Sequence, residues 1–277
     1  MIPSQVVTAW RATHPWVTDR QVEQDLILSR LAIEIGQHPA LRDRLVWRGG
    51  TCLHKIVMPT PLRYSEDLDY VAFGIRGTDF GPILSALRDV AGRVGLDVAR
   101  TRATSRRLEI RLRFDPSGGG APSNIKVEVN IDEVESLFAL DRRTVVLDTE
   151  WWGGRSDVLV FHPTEMIGTK FRALAQRSKG RDLNDLELAY VELALDDGQL
   201  AACAAHYLRN EHIGANDLKA RLFSHLDNPD FVDDVTRFIT KPAHKFEPAR
   251  LVQRWIWCSD RIPRSSPNRH RHRRQHR

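Results

Sequence analysis

Leu45-Val46-Trp47-Arg48-Gly49-Gly50-Thr51-Cys52-Leu53-His54-Lys55 and, after a break at Pro59 and Pro61, Arg63-Tyr64-Ser65-Glu66-Asp67-Leu68-Asp69-Tyr70-Val71-Ala72-Phe73 are the residues on which the fold turns. Leu45-Val46-Trp47 predicts a short strand, Gly49-Gly50 a turn at its mouth, and Thr51 to Val57 a helix. Asp67 to Phe73 predicts a second strand, closed by Gly74 and Gly77. Asp67 and Asp69 stand two apart on that strand, so their carboxylates project from one face and repel each other. A shared proton or a bound cation relieves that repulsion, and a donor set made only of oxygen suits Mg²⁺ or Mn²⁺. Taken alone, an Asp-x-Asp strand is also what a solvated edge shows, and a Gly-Gly pair is also an ordinary tight turn. Their succession points to chemistry. Glycines let a phosphate approach the backbone, a helix start offers free N–H donors to a triphosphate, and Ser65 adds a hydroxyl just before the acids.

Outward from that stretch, Thr18-Asp19 predict a helix start, and Val22, Leu26, Ile27, Leu31 and Ile35 recur at helical spacing up to Gly36. A second stripe of this kind runs from Phe80 through Ile83, Leu87, Val90 and Val94 to Gly95. Leu96 to Val98 and then Leu108, Ile110, Leu112 and Phe114 alternate with polar residues, as half-buried strands do. After a turn over Ser117 to Pro122, Ile125, Val127, Val129 and Ile131 alternate again in an antiparallel partner. Glu128 on that strand is the candidate third carboxylate for the metal, with Asn130 on the same face and Asp132 as the fallback. Further strands are predicted near Thr144 to Leu147 and Val158 to Phe161. Beyond His162-Pro163 the pattern is helical, over 164–177, 182–195, 200–208, 217–225 and 248–257. Strands followed by helices predict an α+β chain. Its expected parts are a catalytic domain at 1–161, a helical domain at 162–262 and a basic tail at 263–277, too poor in apolar residues to pack.

The formal charge of +5 suggests nucleic acid as a partner, but the six arginines after Pro263 exceed it, so the remainder is slightly acidic. The tail either adds salt-sensitive affinity for RNA or is merely solvated. Arg100, Arg102, Arg106, Arg107, Arg111 and Arg113 gather in one predicted sheet edge, either to hold a phosphate backbone or as plain exposed positions. Trp151 and Trp152 stack on a base or plug a loop, whereas Trp255 and Trp257 belong to the core of the last helix. The cysteines, Cys52, Cys203 and Cys258, are odd in number and far apart, which reads as reduced thiols in a core. No histidine outside the tail has metal-ligand spacing, and no phosphate-loop or nucleophile-elbow motif occurs, which disfavours zinc hydrolases and serine hydrolases. No run approaches the roughly 18 apolar residues of a membrane span, and the N-terminus lacks a signal pattern, so a soluble cytoplasmic protein is expected.

A further constellation follows the sheet region. Thr164 to Leu174 continues to Arg177-Ser178-Lys179-Gly180-Arg181-Asp182-Leu183-Asn184-Asp185-Leu186. On helices, Lys170, Ala173 and Arg177 share one face, and Asp182 and Asp185 share another. Alone these are also what a solvated face laced with ion pairs looks like.

The run Gly49 to Lys55 followed by Arg63 to Asp69 resembles the signature of the polymerase-β-like nucleotidyltransferases. The form with Gly-Gly-Thr, Arg, Ser and Asp-Leu-Asp is most similar to the AbiEii/MenT-type toxins of bacterial toxin–antitoxin and phage-abortive-infection systems. The Lys, Arg and Arg-Asp-x-x-Asp-Leu of the later constellation resemble that family's further motifs. The likeness extends over roughly residues 45 to 195. It implies a mixed sheet flanked by helices and a helical C-terminal part that completes the active site. Asp67, Asp69 and Glu128 would then hold Mg²⁺. Gly49, Gly50, Thr51, Ser65, Lys170, Arg177 and Asp182 would bind the nucleotide, and Asp67, Asp69, Lys170 and Asp185 would be catalytic. The implied activity is transfer of nucleotides from a nucleoside triphosphate to the 3′ end of tRNA, with release of pyrophosphate, a block of translation, and neutralisation by a cognate antitoxin. Transfer to a protein or small molecule, as in AMPylation, is the alternative. A non-catalytic module or a metal nuclease is the rival from another class.

Overall fold

In the computed structural model, residues 2–73, 80–131, 135–236 and 247–261 are described, with side chains as far as residue 256. The expectations placed on Gly74, Gly77, Asp132, the side chains of Trp257 and Cys258, and the tail at 263–277 lie outside these residues. The described chain divides into two units, the first ending at Met166 and the second beginning at Ile167.

Strands β1 (Leu45–Arg48), β2 (Leu68–Ala72), β3 (Asp97–Ala103), β4 (Arg107–Phe114), β5 (Ser123–Asn130), β6 (Asp141–Asp148) and β7 (Gly153–Val160) make the sheet of the first unit. They lie in the order β3-β4-β5-β2-β1-β7-β6. The pairs β2/β5 and β1/β7 are parallel and the remaining neighbours antiparallel, so the sheet is mixed as expected. Alternation along each strand separates the two faces. Leu108, Ile110, Val127, Val129, Leu68, Tyr70, Trp47 and Val160 lie in register across one face and are all buried. Each such side chain contributes about 1.5–3 kcal/mol by leaving water. The residues between them, among them Arg111, Lys126, Glu128 and Asp69, form a polar face.

Helices α1 (Ser4–Arg11) and α2 (Asp19–Gln37) precede the sheet. Thr18 caps α2 through a reciprocal pair of bonds with Gln21, which fixes the start that Thr18-Asp19 predicted. Packing of α2 on β7 is close at Gly36, where an added Cβ would stand 2.6 Å from Ser156 Oγ and from Val158 Cγ1. α2 also buries polar groups that its stripe does not reveal. The Asp25 carboxylate accepts from Trp10 Nε1 at 2.8 Å and pairs with Lys55 Nζ at 2.7 Å, so its burial is compensated. Gln24 Nε2 donates to the Glu66 carbonyl at 3.1 Å and so holds the chain just ahead of Asp67.

After β1 the chain turns into the short α3 (Gly49–Cys52) and then a π-helical turn, Leu53–Val57, closed by the Met58 N–H donating to the Leu53 carbonyl at 2.8 Å. The predicted ordinary helix over this segment is thus a wider coil, ended by Pro59. α4 (Gly81–Val94) stops at Gly95, whose left-handed φ of 82° is the usual helix exit.

The second unit takes in most of α5 (Pro163–Gln176) together with α6 (Gly180–Leu193), α7 (Asp197–Asn210), α8 (Ala215–Leu226), α9 (Pro229–Thr236) and α10 (Pro248–Arg261). Its core includes Trp255, which meets Phe171 and Tyr190 edge-on at 5.6 and 5.2 Å. Among the described residues no helix is long and apolar enough to cross a membrane.

Candidate active site

Parallel pairing of β2 with β5 sets Asp69 directly beside Glu128, and Asp67, one residue before β2, falls on the same polar face. A cation that the sequence did not single out lies among these acids. Lys126 Nζ stands 3.2 Å from Asp67 Oδ2 and 3.4 Å from Glu128 Oε2. Burial pushes the Asp67 carboxyl above the usual carboxylate range; Lys126 draws it back and Asp69 adds to the rise. Burial alone would lower the Lys126 ammonium, but Asp69, Asp67 and Glu128 outweigh it and hold the group above its ordinary range. Arg107 reaches Glu128 from β4 at 3.5 Å. Among the described residues no three His, Cys, Asp or Glu side chains converge as a ready metal cage. The chemistry of the donor set nevertheless fits a hard cation: the groups are carboxylate oxygens, and a positive ammonium already sits between them.

The glycine turn abuts these acids. Gly49 has φ 82°, and a Cβ on it would stand 2.6 Å from Asp69 Oδ2. A Cβ on Gly50 would run into the Arg63 guanidinium and lie 3.3 Å from Ser65 Oγ. The Thr51 hydroxyl lies 2.8 Å from Ser65 Oγ and also bonds the Asp67 carbonyl. Buried Arg63 donates to the Tyr64 carbonyl at 2.9 Å. The bonds join Thr51, Ser65 and Asp67, and the close approaches at Gly49 and Gly50 bring Asp69 and Arg63 against the same compact corner. Asn130 faces Arg107 on β4 and Val71 on β2, at the end of the same polar face.

The second unit assembles its own charged cluster. Lys170 Nζ on α5 lies 2.7 Å from Asp185 Oδ2 and 3.1 Å from Asp182 Oδ1, both on α6. Arg177 grips Asp182 with two nitrogens, at 2.8 and 3.1 Å. Lys170, Asp182 and Asp185 are buried, whereas the Arg177 side chain is about half exposed. Burial would raise the Asp182 carboxyl, yet Lys170 and Arg177 prevail and hold it below its usual range.

Of the edge arginines, Arg100, Arg102, Arg107, Arg111 and Arg113 share the polar face and are exposed, with Arg111 paired to Glu109 at 2.8 Å. Trp151 and Trp152 are half-buried and lie under the Arg30 guanidinium at 5.3 and 5.0 Å from their ring centres. Lys126 carries no signal of its own in the sequence: a lysine two before Glu128 in an alternating strand is also what a solvated position shows.

Comparison with known proteins adds to this geometry. A family model described as nucleotidyl transferase AbiEii toxin, type IV TA system, matches residues 34–255. Among solved structures, the chain is similar in fold to MenT4, a nucleotidyltransferase toxin of Mycobacterium tuberculosis H37Rv, with a TM-score of 0.55 and 17% identity over 95% of this chain and 90% of that one. JHP933 of Helicobacter pylori aligns at a TM-score of 0.46 and 15% identity, over 88% of this chain and 92% of that one. No curated protein matches.

Proposed function

This chain belongs to the AbiEii family of nucleotidyltransferase toxins of type IV toxin–antitoxin systems, and from that premise we propose that it adds nucleotides from a nucleoside triphosphate to the 3′ end of tRNA. Translation then stops until a cognate antitoxin counters it. The observation that carries the chemistry is the register of Asp69 on Glu128, with Asp67 on the same face and the Gly49 backbone against Asp69.

Asp67, Asp69 and Glu128 would hold Mg²⁺, or Mn²⁺, which when bound supplies Lewis-acid stabilisation of charge developing on the triphosphate and the attacking hydroxyl. Gly49 lets the Asp69 carboxylate, and Gly50 the Arg63 guanidinium, close onto the turn without meeting a Cβ, so a triphosphate drawn to Asp69 would lie next to the backbone of the turn. Thr51 and Ser65 brace that turn, and Ser65 keeps a hydroxyl beside it for the phosphates. Lys170 and Arg177 are the proposed phosphate-binding cations of the second unit. Asp182 and Asp185 hold the Lys170 ammonium in one position, which removes the freedom a lysine stem would otherwise lose on binding.

The test is to incubate the protein with Mg²⁺, total tRNA and each α-labelled triphosphate separately, beside Asp69→Asn, and to resolve the products on a denaturing gel. Label entering tRNA with the wild type alone supports the reading and identifies the base. Label in a protein band, or shortened RNA with no triphosphate consumed, refutes the tRNA assignment.

A further inference from the structure

Three carboxylates meet on one sheet face; Arg107 reaches Glu128 from its edge, and one ammonium, Lys126, stands among the acids themselves. Lys126 Nζ is nearly equidistant from Asp67 Oδ2 and Glu128 Oε2, at 3.2 and 3.4 Å, and the Asp69 charge acts on it as well. Those separations suit an ammonium. A Mg²⁺ needs oxygens at about 2.0–2.1 Å in a near-octahedral shell, so it must draw the same oxygens inward and cannot share their midpoint with a second cation. The backbone beneath is fixed, because β5 is paired on both sides, to β2 and to β4. What can move is the four-carbon stem of Lys126, a side chain that is a quarter exposed.

We propose that Lys126 is the resident cation of this site: its ammonium holds Asp67, Asp69 and Glu128 together before metal arrives, and must be displaced for metal to enter. The inference rests on the reading of those three carboxylates as metal ligands. The groups that face Lys126 make its displacement costly. Across the β4/β5 pair stands Arg111, a second cation, and the nearest other acid on that strand, Glu109, is already paired to Arg111 at 2.8 Å. A released Lys126 therefore has no unclaimed carboxylate on β4 to turn to. Lys126 thus lowers the affinity of the free protein for divalent metal, and its removal should raise it.

Mn²⁺ binding followed by the loss of the free-ion electron paramagnetic resonance signal tests this without any turnover. Compared with wild type, Lys126→Met should bind Mn²⁺ about tenfold more tightly, the effect of deleting one charge near a partly buried site. Lys126→Arg, which keeps the charge, should not tighten it, and Lys126→Gln repeats the neutral substitution should the methionine variant fail to fold. Asp69→Asn is the control for the site itself and should lose the binding. If Asp69→Asn loses Mn²⁺ while both neutral Lys126 variants bind as weakly as wild type or more weakly, the resident-cation proposal is overturned and the metal reading stands. If neither wild type nor any Lys126 variant binds Mn²⁺, both are overturned together.

Discussion

Substituting Gly49 by alanine tests whether the turn and the acids act as one device. Its effect has two parts. The backbone at Gly49 has φ 82°, and holding an L-residue in that left-handed region costs about 1–2 kcal/mol. The new Cβ would also stand 2.6 Å from Asp69 Oδ2. To restore ordinary contact at roughly 3.5 Å, the carboxylate must recede by about 1 Å, a misplacement worth on the order of 10²-fold in rate. Gly95→Ala separates the two parts. Gly95 has the same φ of 82°, but a Cβ there meets nothing within 4 Å. Thermal unfolding followed by circular dichroism should show both variants melting lower, by about 2–4 °C per kcal/mol lost. Labelled-nucleotide transfer, assayed below those midpoints, should fall about a hundredfold in Gly49→Ala and stay near wild type in Gly95→Ala. Transfer by Gly49→Ala within about threefold of wild type would refute the argument that the glycine keeps Asp69 in place.

Asp69→Asn should fold with an unchanged melting point yet lose about 10²-fold or more of its transfer activity, since it removes a group that stabilises developing charge; measurable wild-type-like turnover would remove Asp69 from the site. Lys170→Met strips the buried Asp185 of its lysine and should cost about 3–5 kcal/mol in urea unfolding, with transfer lost as well; an unmoved midpoint would mean that the cluster is not a structural anchor. Stability should also depend on pH through Asp182. Burial raises that carboxyl but Lys170 and Arg177 leave it lowered overall, and a group lowered on folding stabilises above its unfolded pKa of about 3.9 and ceases to do so as pH falls through the lower folded value. Urea midpoints taken between about pH 5 and pH 2 should therefore fall more steeply for wild type than for Asp182→Asn, and parallel curves would contradict the lowered pKa.

The features legible in the sequence were those written locally. Thr18-Asp19 announced the start of α2 because a helix cap is a matter of residue type within a few positions, and the structure adds Gln21 as its partner. Ile125, Val127 and Val129 announced β5 because alternation is a property of the strand itself. The α+β class and the nucleotidyltransferase family followed from the same local motifs. What escaped was of two kinds. α1 and α9 are eight residues each, too short for an apolar stripe to repeat, and neither was anticipated. The other kind is relational. Lys126 looks like any solvated position of an alternating strand until β5 is known to lie beside β2, and that adjacency joins segments some sixty residues apart. Buried Asp25 likewise reads as a break in the stripe of α2 until Lys55 and Trp10 are seen to meet it. The π-helical turn at Leu53–Val57 uses residues with nothing to distinguish them from ordinary helix formers.

The parallel union of β2 and β5 also bears on when the protein can become dangerous to its host. β3, β4 and β5 pair antiparallel with short connections and can zip up among themselves as soon as they are made. Asp67 and Asp69 are synthesised first, yet they meet Glu128 only when the earlier strand docks against the finished hairpins, a slow closure over a long loop. A ribosome that has released fewer than about 130 residues therefore carries the two aspartates without their neighbour. Abortive fragments of this chain should be inert, and harm should begin only with molecules that have completed that late, long-range step.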